Sequence, residues 1–190
     1  LRTMREELDA TFIYTTSDPL EALMLAEDIH VFDSVRIIES GDLDEVYHKP
    51  QHVRSMQLLG FPDTNVFDAT ISGKSGHAHV SSPVCDFNLS ADSLDTAAEH
   101  VYVTVRPQHI EINPQQQENR VLFQGDVTLV EDLGGELHIY LEAGGIEMQG
   151  LIPQHMADDL TEGPATIGIQ AHHIQVYDIN DNLRIGQGII

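Results

Sequence analysis

The sequence predicts two unequal parts: a short α/β segment over residues 1–61, followed by a mainly β unit over residues 62–190 built as a small barrel or sandwich. Three observations carry this expectation. Helix-like and strand-like hydrophobic patterns alternate as far as Phe61. From Pro62 the pattern changes to short strands separated by turn signals. The chain has 190 residues and 41% hydrophobic content, enough for one domain or two small ones with a core.

The first part reads, in order, as a helix over 1–9 and an apolar, β-branched and aromatic run over 11–16, expected as a buried strand. Ser17-Asp18-Pro19 then breaks the pattern. Asp18 suits a helix N-cap, Pro19 the first helical position, and Glu21 the reciprocal place of a capping box. The helix runs over 19–28, with Leu20, Leu23 and Met24 on one face. Strands follow over 29–32 and 35–38. Asp42 with Glu45 starts a second capped helix through Tyr47, which stops near Lys49 because Pro50 disfavours helix at its predecessor. A last helix is expected over 51–59.

The second part reads as strands over 66–72, 101–105, 121–130, 136–141, 146–152, 165–169 and 174–177. Leu137, Ile139 and Leu141 alternate with His138, Tyr140 and Glu142, so one face of that strand is buried and the other wet. Ala143-Gly144-Gly145 supplies the positive-φ residues of a hairpin turn into Ile146. A short helix is expected over 154–160.

Charge narrows the function classes. Thirty-one Asp and Glu stand against nine Lys and Arg, a net −22. That field repels nucleic acid and anionic lipid, and suits a heavily solvated surface or basic partners. The single Cys85 excludes an internal disulfide framework and is expected to be a buried, inert thiol. No apolar run nears 18 residues and no secretion signal is present, so the expectation is a soluble intracellular piece tied to any membrane through a partner. The pairs His77/His79 and His172/His173 invite a metal reading. Adjacent residues of a strand point to opposite faces and His77/His79 lacks a third ligand, so no metal is assigned.

The motifs carry a resemblance. Residues 11–23, TFIYTTSDPLEAL, resemble the switch loop of ABC-importer ATPase subunits of the maltose/maltodextrin type, where the strand ends Thr-His-Asp before a Glu-Ala-Leu helix. Thr16 and Asp18 match, and Ser17 stands at the histidine position. Arg36-Ile37-Ile38-Glu39-Ser40-Gly41, Glu45 through Pro50, and Gly60-Phe61 through Phe67 continue it, and Leu1-Arg2 is similar to the sequence after that family's D-loop. In the β part, Arg106-Pro107-Gln108-His109 resembles the Arg-Pro-Glu-His motif of the family's C-terminal regulatory domain. The residues around Glu131, Gly134 and Glu136 resemble its Glu-x-Leu-Gly-x-Glu segment, and Ile174 to Asp178 its final strand. Between Gly73 and Glu99 the similarity is poor.

The resemblance implies the end of a nucleotide-binding domain (1–61) followed by a regulatory OB-type, TOBE-like barrel (62–190). It implies that the Walker A, signature, Walker B and D-loop segments lie before residue 1. No G-x-x-x-x-G-K-[ST] occurs in these residues, so the chain is not expected to bind or hydrolyse ATP; ATP and Mg belong to the parent subunit. Ser17 and Asp18 would sit at a degenerate catalytic position, or serve only as helix-capping residues. Implied partners are a second copy or a related ATPase subunit, membrane permease subunits through the other part of the protein, and a regulatory protein, with no nucleic acid. Arg106, extended before Pro107, is expected to donate an ion pair to Glu111 or Glu131. The competing expectation is a β-barrel that binds a small oxyanion. Against it, Arg106 and Arg120 are the only Lys or Arg between Gly76 and Gly150.

Overall fold

The computed structural model describes residues 10–74, 77–91, 100–116, 118–156 and 160–189, and the expected helix over 1–9 lies outside them. The contacts divide the chain into two compact units, Leu1–Phe61 and Pro62–Ile190.

In the first unit α1 (Pro19–Leu25) is followed by a hairpin of β1 (Asp28–Asp33) and β2 (Arg36–Asp42), then by α2 (Leu43–His48) and α3 (Val53–Leu58). Each helix starts at a side-chain cap. Asp18 accepts from the Leu20 and Glu21 amides, and Asp42 from those of Asp44 and Glu45. His52 Nδ1 accepts from the Arg54 amide at 3.0 Å, while the Glu39 carboxylate takes the Gln51 and His52 amides at 2.7 and 3.3 Å. Burial lowers the His52 pKa against the pull of Glu39. The neutral cap therefore contributes stability above the ordinary imidazole value, and that contribution is lost as pH falls through the lowered one. Ile29, Val31, Val46 and Leu59 form the unit's small core.

Four expectations for this unit are corrected. Residues 11–16 are not a strand, and Phe12, Ile13 and Tyr14 are exposed, Ile13 at 94%. Strand propensity needs a ladder partner, and none of the described strands pairs with this run. Glu21 does not close a capping box: its carboxylate accepts from the Thr16 hydroxyl at 2.6 Å, and Thr16 Oγ1 takes the Asp18 amide at 3.0 Å, so the box is relayed through one more side chain. α1 also ends at Leu25 instead of Asp28, because Asp28 opens β1, and α3 begins at Val53 instead of Gln51, because His52 is its N-cap.

Val35 lies in the hairpin turn, with Ser34 at φ 47° and Val35 at φ 65°. A β-branched residue in the left-handed region is strained, whereas glycine is not. Val35→Gly is expected to stabilise the hairpin by about 1 kcal/mol, read as roughly fivefold slower hydrogen exchange at the Val31 and Glu39 amides.

The second unit holds a closed six-stranded barrel and a five-stranded sheet. The barrel takes β3 (Asn65–Lys74), β4 (His77–Ser81), β5 (Asp86–Ala91), β6 (His100–Val105), β12 (Gln175–Asp178) and β13 (Arg184–Ile189). The sheet runs β10-β9-β8-β11-β7, from β7 (Glu111–Ile112), β8 (Arg120–Asp132), β9 (Glu136–Ala143), β10 (Ile146–Pro153) and β11 (Gly163–Gln170). All described ladders are antiparallel. The expected mainly β barrel class is what forms. Strands β4, β5, β7 and β13 were not expected, being short or broken by polar residues. The helix expected over 154–160 is a three-residue 3-10 turn, Gln154–Met156, with residues 157–159 outside the description.

Barrel and sheet share one apolar core. Val80, Leu89, Val101 and Val103 from the barrel join Ile139, Leu141, Ile167 and Ile169 from the sheet in a single cluster. Cys85 belongs to it, and burial pushes its thiol up to about 12. Cys85 is expected to resist a thiol reagent in buffer near neutrality and to react at once in denaturant; rapid labelling of the folded chain would contradict this burial. The same raised pKa favours unfolding progressively as pH climbs from the ordinary thiol value toward 12.

Candidate regulatory site

The residues singled out in the sequence occupy three places. Ser17 and Asp18 precede α1, where Asp18 is the cap and Ser17 is exposed. Above Asp18, the Tyr14 phenol donates to Glu21 at 2.9 Å, and that bond, followed by the Glu21 charge, raises its pKa. The α1 amides that could meet a phosphate are taken by Asp18, and no cluster of metal-ligating side chains occurs among the described residues.

Arg106 to His109 form the passage from barrel to sheet. Arg106 closes β6 in the extended region (φ −74°, ψ 144°), as a residue before proline must, and Pro107 opens a 3-10 turn, Pro107–His109. Arg106 and Pro107 are buried, and Gln108 is exposed. Glu111 takes Arg120 Nε at 2.9 Å, and Glu131 faces His138 and Tyr140. His109 stacks flat on His173, ring centroids 3.6 Å apart and 8° from parallel.

Glu131, Gly134 and Glu136 surround the β8–β9 turn. Gly134 has φ +87°, and its amide is taken by Asp132 Oδ1 at 2.7 Å, while the Leu133 amide reaches the Glu136 carbonyl. Only glycine sits at that φ without strain. This turn and the Arg106–His109 passage lie on opposite faces of the sheet. Ile110 packs toward Gly150 on the core face, whereas Glu131 lies beside His138 on the outer face.

Sequence reading missed the polar chain that continues from Glu131. The His138 ring lies 4.5 Å from that of Tyr140, and His138 Nε2 meets Gln149 Oε1 at 2.9 Å. Asn65 pairs with the Gln149 backbone in both directions, Nδ2 to the carbonyl at 2.8 Å and the amide to Oδ1 at 2.7 Å. Asn65 thereby covers part of the free edge of β10 and ties the barrel to the sheet. Burial, then the Glu131 charge, raises the Tyr140 pKa. The visible signal was the wet-face alternation of His138 and Tyr140; the pairing with residue 65 is too distant in sequence to be seen.

A TOBE-domain family model matches residues 103–176, from the middle of β6 through the sheet into β12. The maltose/maltodextrin import ATP-binding protein of Vibrio cholerae is 28% identical over 178 residues, covering 92% of this chain and 47% of the relative. The chain is similar to the maltose-type ABC-importer ATP-binding proteins. It corresponds to the C-terminal, TOBE-bearing part of those subunits. The sn-glycerol-3-phosphate import ATP-binding protein of the same organism is 28% identical over 78% of this chain and 38% of its own length. An uncharacterised ABC transporter ATP-binding protein of Sinorhizobium fredii is 23% identical over 80% of the chain. The TOBE-bearing chain spans about half the length of these relatives or less.

Proposed function

We propose that this chain is the regulatory and pairing portion of an ATP-binding subunit in an importer of sugars or related solutes, acting on an ATPase engine carried by the rest of the subunit. One observation carries this reading: the TOBE match contains both motifs, and the import ATP-binding relatives match over most of the chain. The site itself has the attributes of an interaction surface: exposed Glu131, Gly134 and Glu136 on a rigid hairpin, and no cluster of metal ligands among the described residues. In this reading the ATPase pairs with a second copy or a related subunit, meets membrane permease subunits through its other part, and works at the inner face of the cytoplasmic membrane. Ser17 at the switch-histidine position makes the parent a slow hydrolase or the degenerate member of a pair.

The test is light scattering with in-line chromatography on the chain and on a version starting at Pro62, over a concentration series. Dimers of both assign pairing to the barrel and sheet. Monomers of both at high concentration would remove the pairing role.

A further inference from the structure

The sheet of the second unit has a charge imbalance of its own. Across residues 111–170 the sequence holds eleven Asp and Glu against a single Lys or Arg, Arg120. That arginine is committed to Glu111, to which its Nε donates at 2.9 Å. On the outer face the strand registers set three carboxylates in one row: Asp126 of β8 lies opposite Glu142 of β9, and Glu142 opposite Glu147 of β10. All three are exposed, and they alternate along their strands with the core residues Val127, Leu141 and Met148. None of the described ion pairs includes them. Like charges facing each other across a ladder weaken a sheet, so folding does not account for the row.

The next row is apolar. A bulge at Thr128 shifts the register between Val127 and Leu129, so that Val130 takes the core side opposite Ile139 and Leu129 turns outward opposite Tyr140. Without the extra residue, the alternation from Val127 would carry Leu129 inward. Leu129 is 42% exposed and Tyr140 is half-buried. We propose that the outer face of β8, β9 and β10 docks a basic amphipathic helix of a partner protein, Leu129 and Tyr140 meeting its apolar stripe and Asp126, Glu142 and Glu147 its row of Lys or Arg. The proposal rests on the reading of this unit as an interaction module, and adds the face used and the chemistry of the partner.

The dimensions agree. Adjacent strands lie about 4.8 Å apart, so the three carboxylates span about 10 Å. Side chains at i, i+4 and i+7 of a helix lie in one row and span about 10.5 Å along its axis. The apolar row lies two residues along β9 from the acidic one, about 7 Å, which is within the width of one helix. A second copy fits this face less well. It brings the same imbalance of eleven to one, and the face turned on itself sets carboxylates among carboxylates. Nucleic acid and anionic lipid are repelled by the same field.

The experiment is an amide NMR titration of the whole chain with a synthetic helical peptide carrying Lys at i, i+4 and i+7 beside a leucine stripe. Two control peptides replace the leucines by glutamine or the lysines by glutamate. The first peptide is expected to give saturable shifts centred on Leu129, Tyr140, Glu142 and Glu147, and each control to bind about tenfold more weakly or less. Glu142→Lys is expected to weaken binding about tenfold and Leu129→Ala about threefold. Both positions are exposed, so thermal unfolding of the two variants is expected to match or exceed that of the wild type. Absence of saturable shifts would overturn the proposal, as would shifts spread equally to Asp42, Asp44 and Glu45, or a glutamine control that binds as well as the leucine peptide. Stronger self-association of Glu142→Lys in light scattering would overturn it too, by making a second copy the occupant. A monomeric chain that still gives the expected shifts would support the docking face while removing the pairing role.

Discussion

Gly144→Ala is expected to destabilise the second unit by about 3 kcal/mol, the sum of about 1–2 for a side chain in the left-handed region and about 1–3 for overpacking. The residue turns the β9–β10 hairpin at φ +57° and has its Cα against the loop between β4 and β5. A Cβ there would lie 1.9 Å from the Pro83 carbonyl oxygen and 2.5 Å from its carbon, both backbone atoms. No rotamer change relieves such a contact, so hairpin or barrel loop must move. Gly145→Ala, next in the same turn at φ +77° with no atom within 4 Å, carries the conformational cost without the clash. The difference between the two variants in denaturant midpoint isolates the contact between sheet and barrel; equal losses would show that conformation alone matters.

The second large effect is expected at Ile139, fully buried on the core face of β9. Ile139→Ala should cost about 2–5 kcal/mol, since the lost transfer energy is compounded by a cavity. Gly150 sits directly opposite, where a Cβ would meet Ile139 Cγ1 and Cδ1 at 2.7 Å, so the isoleucine fills space the glycine leaves. Gly150→Ala in the Ile139→Ala background is therefore expected to recover part of the loss, although alone it destabilises. Leu129→Ala, on β8 and 42% exposed, should change stability by less than about 0.5 kcal/mol. Chemical unfolding of the four variants gives the coupling directly.

How much of this was legible in the sequence depends on where each residue's partner lies. Local devices were readable: Asp18 and Asp42 as caps, Gly144 and Gly145 as turn formers, and the alternation from Leu137 to Leu141. The buried thiol of Cys85 followed from its solitude and composition. Failures came where tertiary pairing decides. Residues 11–16 have strand chemistry but no described strand beside them, and Val35 was read into a strand though the chain reverses there at positive φ. β13 escaped notice because Gly186 and Gly188 interrupt its apolar pattern, and Gly188 is required where a Cβ would come within 2.6 Å of the Ala171 carbonyl. Of the site, Arg106 to His109 were visible as a motif, but the partner of His109 lies 64 residues away (173 − 109), beyond any local pattern.

The register of β6 against β12 gives the stretch that matches the TOBE family a property of its own. The match begins at residue 103 and ends at residue 176, and Val103 and Val176 are direct partners on one rung of the barrel. The stretch thus leaves and rejoins its host at a single point, the arrangement that allows one module to be inserted within another. Swapping residues 103–176 for the same stretch of a relative would change the sheet and its motifs while leaving the two cut ends already side by side, so this stretch can be exchanged as one cassette.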